Sequence, residues 1–272
     1  MLLQSDVVVD GRHLEVRVFE PPAALDRAAP RDPPIVLLHE GLGSIALWKS
    51  FPDRLAEWTG RRVVAYSRYG HGRSDPLEER RDPDYMHHEG EIVLPELLAR
   101  LELERPILFG HSDGASIALM YAGTRPDAVS ALVLEAPHVF VEEHTIASIE
   151  AAAAAYRETD LPRRLERYHN DVDRTFWGWN DIWLDPRFRA WNIEPYLAAV
   201  RCPVLLVQGD EDEYGTAAQL EAISAQIPAT QIVTFARCAH APHRDRQQDT
   251  LEATARFLRN VTSIAARIES PS

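Results

Sequence analysis

The sequence predicts an α/β protein: a mostly parallel, doubly wound sheet with helices on both faces. Two observations predict it. Compact runs that are apolar throughout recur along the chain, as they do in strands buried on both faces. Helical patterns with apolar residues at i, i+3, i+4 and i+7 separate those runs. At 272 residues and 45% apolar content, the chain can bury the core of one large α/β domain.

Two short strand-like segments open the chain. In His13–Phe19, Leu14, Val16 and Val18 alternate with Glu15 and Arg17, the period of a strand wet on one side. Pro21–Pro34 is a Pro/Ala-rich connector without periodicity. Ile35–Leu38, Val63–Tyr66, Pro106–Phe109, Ala131–Leu134 and Val204–Val207 are the apolar runs, and Gln231–Phe235 is a more mixed sixth. Leu94, Leu97, Leu98 and Leu101 form one helical stripe, which Pro95 must start or kink. Ser112–Gly123 reads as a helix ended by its glycine, and Leu251, Ala255 and Leu258 as the inner stripe of a C-terminal helix. A sheet of this kind binds ligands in the crevice beyond the C-terminal ends of its strands.

The alternation stops between His138 and Ala199. That stretch holds helical pattern (Ile146–Tyr156, Leu161–Tyr168) and the segment FWGWNDIWLDPRFRAW, with four of the six tryptophans, Trp177, Trp179, Trp183 and Trp191. The expected organisation is a core of residues 1–137 and 200–272, with a helical cap, 138–199, inserted between two strands to shield the crevice.

Composition narrows the partners. A formal net charge of −13 argues against nucleic acid, which needs clustered Lys and Arg; Lys49 is the only lysine. Cys202 and Cys238 have no metal-ligand spacing and form no disulfide framework, so they read as reduced, buried thiols. The opening MLLQSDVVVDGR lacks the pattern of a secretory signal, and no apolar run approaches the roughly 18 residues of a membrane span. The expectation is a cytoplasmic monomer or homodimer acting on a small molecule, with no cofactor.

Chemistry enters at Gly110-His111-Ser112-Asp113-Gly114. This G-x-S-x-G follows the strand Ile107-Leu108-Phe109 and opens a helix, the strand–turn–helix context that gives the motif meaning. So tight a turn leaves no room for side chains two residues either side of the serine, hence the glycines. Ser112 then sits at a helix N-terminus, where free amides and the helix dipole favour a developing oxyanion. A hydroxyl needs a base in reach to become a nucleophile. Val204–Val207 runs into Gln208-Gly209-Asp210-Glu211-Asp212-Glu213, and the last strand is followed by Cys238-Ala239-His240-Ala241-Pro242. Chain order and location select Ser112 as nucleophile, His240 as base and Asp212 as the acid that orients it, with Asp210 and Glu135 as alternative acids. His243 reads as solvent-facing or structural. The spacing of His240 and His243 is not that of a zinc-binding H-E-x-x-H helix, so no metal is expected. Two amides must face the oxyanion, each worth roughly 3 kcal/mol in the transition state. Asp113 supplies one. The loop His39-Glu40-Gly41-Leu42-Gly43-Ser44 supplies the other, from Gly41 before Leu42.

Together the blocks LLHEGLGS, YSRYGHGRSD, GHSDG, VQGDED and CAHAP resemble the α/β-hydrolase superfamily over essentially the whole chain. The resemblance implies a capped, eight-stranded fold. Two departures stand out: the usual His-Gly pair of the oxyanion loop is His39-Glu40, and the usual Asp opening the D-x-x-G-x-G-x-S block is Ser67. Ser112-Asp113-Gly114 followed by a Trp-rich cap is most similar to the biphenyl-hydrolase-like (valacyclovirase) branch. That similarity implies that Asp113 receives a substrate ammonium group.

The first functional expectation is hydrolysis of a carboxylic ester, or a thioester or activated amide, through an acyl-Ser112 intermediate. Substrate contacts are expected from Asp113, Glu40, Trp177, Trp179 and Trp183, although the tryptophans serve equally well as the cap's own core. Hydrolytic C–C cleavage of a ring-fission product uses the same triad. Its anionic substrates would need an arginine such as Arg187 or Arg189 against Asp113 and Glu40. Acyl transfer is a third reading, and a catalytically dead binding module a fourth, though no member of the triad is missing.

Overall fold

The computed structural model describes residues 3–22 and 32–269, and side chains within 6–22 and 32–261. Most of the Pro/Ala-rich connector, 23–31, and the first two residues lie outside that range. Eight strands form one sheet: β1 (Leu3–Val9), β2 (Arg12–Phe19), β3 (Ile35–Leu38), β4 (Val63–Tyr66), β5 (Ile107–His111), β6 (Ala131–Glu135), β7 (Val204–Gly209) and β8 (Thr230–Phe235). Their order is β1-β2-β4-β3-β5-β6-β7-β8. The β1/β2 and β2/β4 pairs are antiparallel and the remaining neighbours parallel.

The five continuous apolar runs are the five central strands, β3 to β7, buried at every position. Alternate residues feed two cores. Val36, Leu38, Leu108, Leu132 and Leu206 face one layer, and Ile35, Leu37, Phe109, Val133 and Leu205 the other. Edge strand β8 has only half-buried and exposed positions and leaves Ile232 open to solvent, which explains its mixed sequence. Helices α1 (Phe51–Thr59) and α11 (Gln247–Glu269) cover one face. On the other lie α2 (Tyr85–His88), α3 (Leu94–Arg100) and α4 (Asp113–Thr124).

Two expected helix boundaries shift. Helix α2 runs into α3 through a widened π turn, Glu89–Val93, so helical structure begins ten residues before Pro95. The Glu91 carbonyl that Pro95 cannot bond accepts instead from Arg125 Nη2 at 3.0 Å. Gly123 does not end α4, which continues to Thr124. Its hydrogen side chain lets the helix approach residue 196, where a Cβ would come within 2.6 Å of the Tyr196 carbonyl oxygen.

Between β6 and β7 the chain makes α5 (Glu143–Glu158), α6 (Leu161–Leu165), α7 (Val172–Leu184) and α8 (Glu194–Leu197). The tryptophans hold this insertion together: Trp183 packs edge-on against Phe188, and Phe188 stacks on Trp191 at 5.3 Å. The last short helices are α9 (Ala217–Gln226) and α10 (Pro242–Asp245). Cys202 and Cys238 are free and buried, and burial pushes both thiols up to about 12, so they stay protonated. Among the described residues, no helix is long and apolar enough to cross a membrane.

Candidate active site

Loops leaving the C-terminal ends of β3, β4, β5, β7 and β8 meet at one end of the sheet, beneath the insertion. Ser112 occupies the turn between β5 and α4 with φ 53° and ψ −119°. That left-handed value is strained for a residue with a Cβ. The turn closes only because both flanking positions are glycine. A Cβ on Gly110 would stand 2.5 Å from Ala115 Cα, and one on Gly114 2.1 Å from the Leu38 carbonyl oxygen.

Ser112 and His240 line the same cavity, of about 440 Å³. Behind His240, Nδ1 lies 2.8 Å from Asp212 Oδ1. That carboxylate also accepts from the Tyr214 and Gly215 amides at 2.9 and 3.1 Å and from Gln208 Nε2 at 3.1 Å. Burial works to raise the Asp212 carboxyl, but the hydrogen bond and charge of His240 outweigh it and hold it well below the carboxylate range. An ionised acceptor fixes His240 with Nδ1 protonated and Nε2 free. Of the three candidate acids, only Asp212 is bonded to His240: Asp210 is exposed, and Glu135 is bonded to His243 Nδ1 at 2.7 Å. His243 is therefore structural and buried.

The loop His39–Ser44 is held by side chains to which the sequence reading gave no role. The Glu40 carbonyl accepts from His39 Nδ1 at 2.7 Å, Arg68 Nη2 at 2.8 Å and the Gly43 amide at 3.0 Å. In a trans peptide this turns the Gly41 N–H the opposite way, and Gly41 is one of the residues lining the cavity. The next carbonyl, of Gly41, accepts from His71 Nε2 at 3.0 Å, and the one after, of Leu42, from His169 Nε2 at 3.0 Å. His169 belongs to the insertion, and its Nδ1 accepts from the Gly72 amide at 3.0 Å. Burial above all, reinforced by Arg68 for His39 and His71, lowers these three histidines and keeps them neutral. Gly41 leaves room for Trp179, because a Cβ there would fall 2.1 Å from the indole nitrogen.

The two sequence departures have physical partners. Ser67 donates to Glu15 Oε2 at 2.9 Å, and that oxygen also accepts the Arg73 amide at 3.1 Å, so β2 supplies the carboxylate that position 67 lacks. Glu40 lines the cavity and sits 3.5 Å from His111 Nδ1. Burial works to raise Glu40 and to lower His111; their mutual attraction reverses both, holding the carboxyl low and the imidazole high. His111 Nε2 donates to the His240 carbonyl at 2.8 Å.

Asp113 corrects an expectation. Its carboxylate is 1% exposed and already engaged through Oδ2, which accepts from the Tyr85 hydroxyl at 2.7 Å and lies 3.7 Å from Arg68 Nη2, leaving only the buried Oδ1 unbonded. Of the tryptophans, Trp179 and Trp183 line the cavity with Leu47, Ile149 and Tyr214. Trp177 packs elsewhere, edge-on to Tyr156 and under Arg157. Arg187 and Arg189 pair with Asp185 and Glu143 and do not line the cavity. Among the described residues, His111, Glu135 and His243 bring three potential metal-ligand atoms within 4.8 Å of one another, but His243 and Glu135 are already bonded to each other.

A family model described as the alpha/beta hydrolase fold matches residues 33–175, more than half the chain. The chain belongs to the α/β-hydrolase family. Among curated relatives, this α/β-hydrolase is 27% identical over 258 residues to an sn-1-specific diacylglycerol lipase of Mus musculus, covering 83% of this chain and 81% of that one. It is 23% identical over 270 residues to a proline iminopeptidase of Heyndrickxia coagulans, covering 84% and 91%. In fold it is similar to a proline iminopeptidase from Mycobacterium smegmatis, with a TM-score of 0.75 at 19% identity, covering 97% and 100% of the two chains. The family's lipases and peptidases share a fold and differ in the bond they cut.

Proposed function

We propose that this α/β-hydrolase cleaves the carboxylic ester of a small, partly apolar substrate through an acyl-Ser112 intermediate. The observation that carries the reading is His240, bonded through Nδ1 to the buried Asp212 and lining the same cavity as Ser112. His240 Nε2 takes the serine proton as Oγ attacks the carbonyl and delivers it to the leaving alcohol. Water then enters, gives its proton to the same nitrogen and releases the acid. The Asp113 and Gly41 amides receive the oxyanion, the first as an unpaired N–H at the start of α4. The insertion, residues 138–199, acts as a cap. Its Trp179 and Trp183, with Ile149, form the apolar wall against which the substrate lies. A thioester or activated amide meets the same chemistry.

The test is fluorophosphonate labelling together with turnover of short acyl esters. Wild type should take one label and hydrolyse esters; Ser112→Ala should do neither while keeping its circular dichroism. Labelling or turnover that persists in Ser112→Ala would refute the assignment.

A further inference from the structure

Each carboxylate in the wall of the cavity has a contact within the protein, although Asp113 keeps its buried Oδ1 without a hydrogen bond. Glu40 lies against His111, Asp113 against Arg68 and Tyr85, and Glu213 accepts the His240 amide at 3.0 Å. The cations are held more loosely, by exposed contacts. Arg164 and Arg167 on the insertion and Arg244 on the core line the same cavity from its two sides. Arg164 reaches Asp160 at 3.4 Å and Arg244 reaches Asp245 at 3.1 Å, each through Nε alone. Both guanidinium side chains are largely open to water, at 60% and 59% exposure, where such pairs contribute little. The guanidinium of Arg167 rests 5.7 Å from the Tyr168 ring. Those Nε contacts leave the terminal N–H groups of Arg164 and Arg244, the ones that fork onto a carboxylate or phosphate. In a chain of net charge −13, three guanidiniums on one cavity are a local concentration of positive charge.

We infer that the substrate is an ester carrying an anionic oxygen group, a carboxylate or a phosphate, that Arg164, Arg167 and Arg244 hold at the opening. Its apolar part lies deeper, against Leu165, Ile149, Trp179 and Trp183. The inference rests on the hydrolase reading above and assigns its substrate class. It also reverses the sign suggested by the Ser112-Asp113-Gly114 sequence, because Asp113 already faces Arg68 at 3.7 Å.

The experiment compares para-nitrophenyl esters of equal acyl length ending in methyl, ammonium, carboxylate or phosphate, together with esters whose nitrophenol carries the carboxylate instead. The readout is the ratio of kcat/KM between charged and neutral members, which is insensitive to the fraction of protein folded. At low ionic strength an anionic ester should exceed its neutral counterpart by about tenfold or more, and the ammonium ester should be poorest. Added salt should shrink the advantage. The combined variant Arg164→Gln, Arg167→Gln, Arg244→Gln should bring the ratio towards one. If anionic and neutral esters turn over equally, or if the preference survives in the triple variant, the inference is overturned and the hydrolase reading stands. Failure of all the esters, with Ser112 unlabelled by fluorophosphonate, would bring down that reading and this one with it.

Discussion

At the scale of single residues, the site is defined by which hydrogen-bonding capacity is already used and which is left over. Asp212 spends its oxygens on two amides, Gln208 and His240, so it has one conformation and stays ionised. Asp212→Asn keeps the shape but offers His240 a neutral partner that tolerates the wrong tautomer. We expect kcat to fall by about 10⁴ with KM little changed. Steady-state kinetics on one ester checks this, and a loss under tenfold would show that Asp212 does not orient the base. The triad candidates were legible in the sequence because each follows a strand and two carry local signatures, the glycines around Ser112 and the carboxylate-rich turn. The state of Asp113 was not legible. Its motif describes neighbours in sequence, whereas its carboxylate is engaged by Arg68 and Tyr85, which arrive from other parts of the chain.

At the scale of elements, the loop proposed to face the oxyanion is fixed from three directions: its own His39, the loop after β4 through Arg68 and His71, and the insertion through His169. His169 therefore ties the insertion to the loop that, in the proposed mechanism, faces the oxyanion. His169→Ala should lower kcat about tenfold, less than removal of an oxyanion donor because the loop is loosened rather than lost. His169→Gln, which retains an acceptor and a donor, should recover most of the rate. Thr175 is a fair comparison. It also joins insertion to core, donating to the Gly70 carbonyl at 2.7 Å, but touches no oxyanion-loop carbonyl. Thr175→Val should leave kcat within about twofold of wild type; an equal loss in both variants would mean that docking of the insertion alone matters. The central strands could be read from sequence because burial on both faces leaves a continuous apolar run. The start of the α2–α3 helix could not, since tertiary packing carries it through a π turn ahead of Pro95, where local propensity points to a break.

At the scale of the whole molecule, burying this many histidines links stability to pH. His39, His71, His138 and His169 are held below their ordinary value, chiefly by burial, His138 down to about 4. They stay neutral in the fold while the unfolded chain takes up protons below about pH 6.5, so their contribution is complete above that pH and lost as it falls. His111 runs the other way: Glu40 outweighs burial and raises it, so its contribution is complete below about pH 6.5 and lost on the alkaline side. Glu40 and Asp212, held low, add stability above about pH 4.5 that disappears below it. Four histidines kept neutral outweigh one kept charged. The unfolding free energy from urea titrations should therefore decline from pH 7 to 5, by up to roughly 1.4 kcal/mol per pH unit for each net proton, and more steeply below 4.5, with the midpoint falling in step. A flat or rising midpoint between pH 7 and 5 would contradict this balance.

The bond from His169 to the Leu42 carbonyl also bears on engineering. Family members are natural donors for chimeras, in which a foreign lid is grafted onto a proven core to import a new specificity. Here such a graft would delete a strut of the machinery it is meant to redirect, so a transplant should carry the native imidazole at position 169 across the junction.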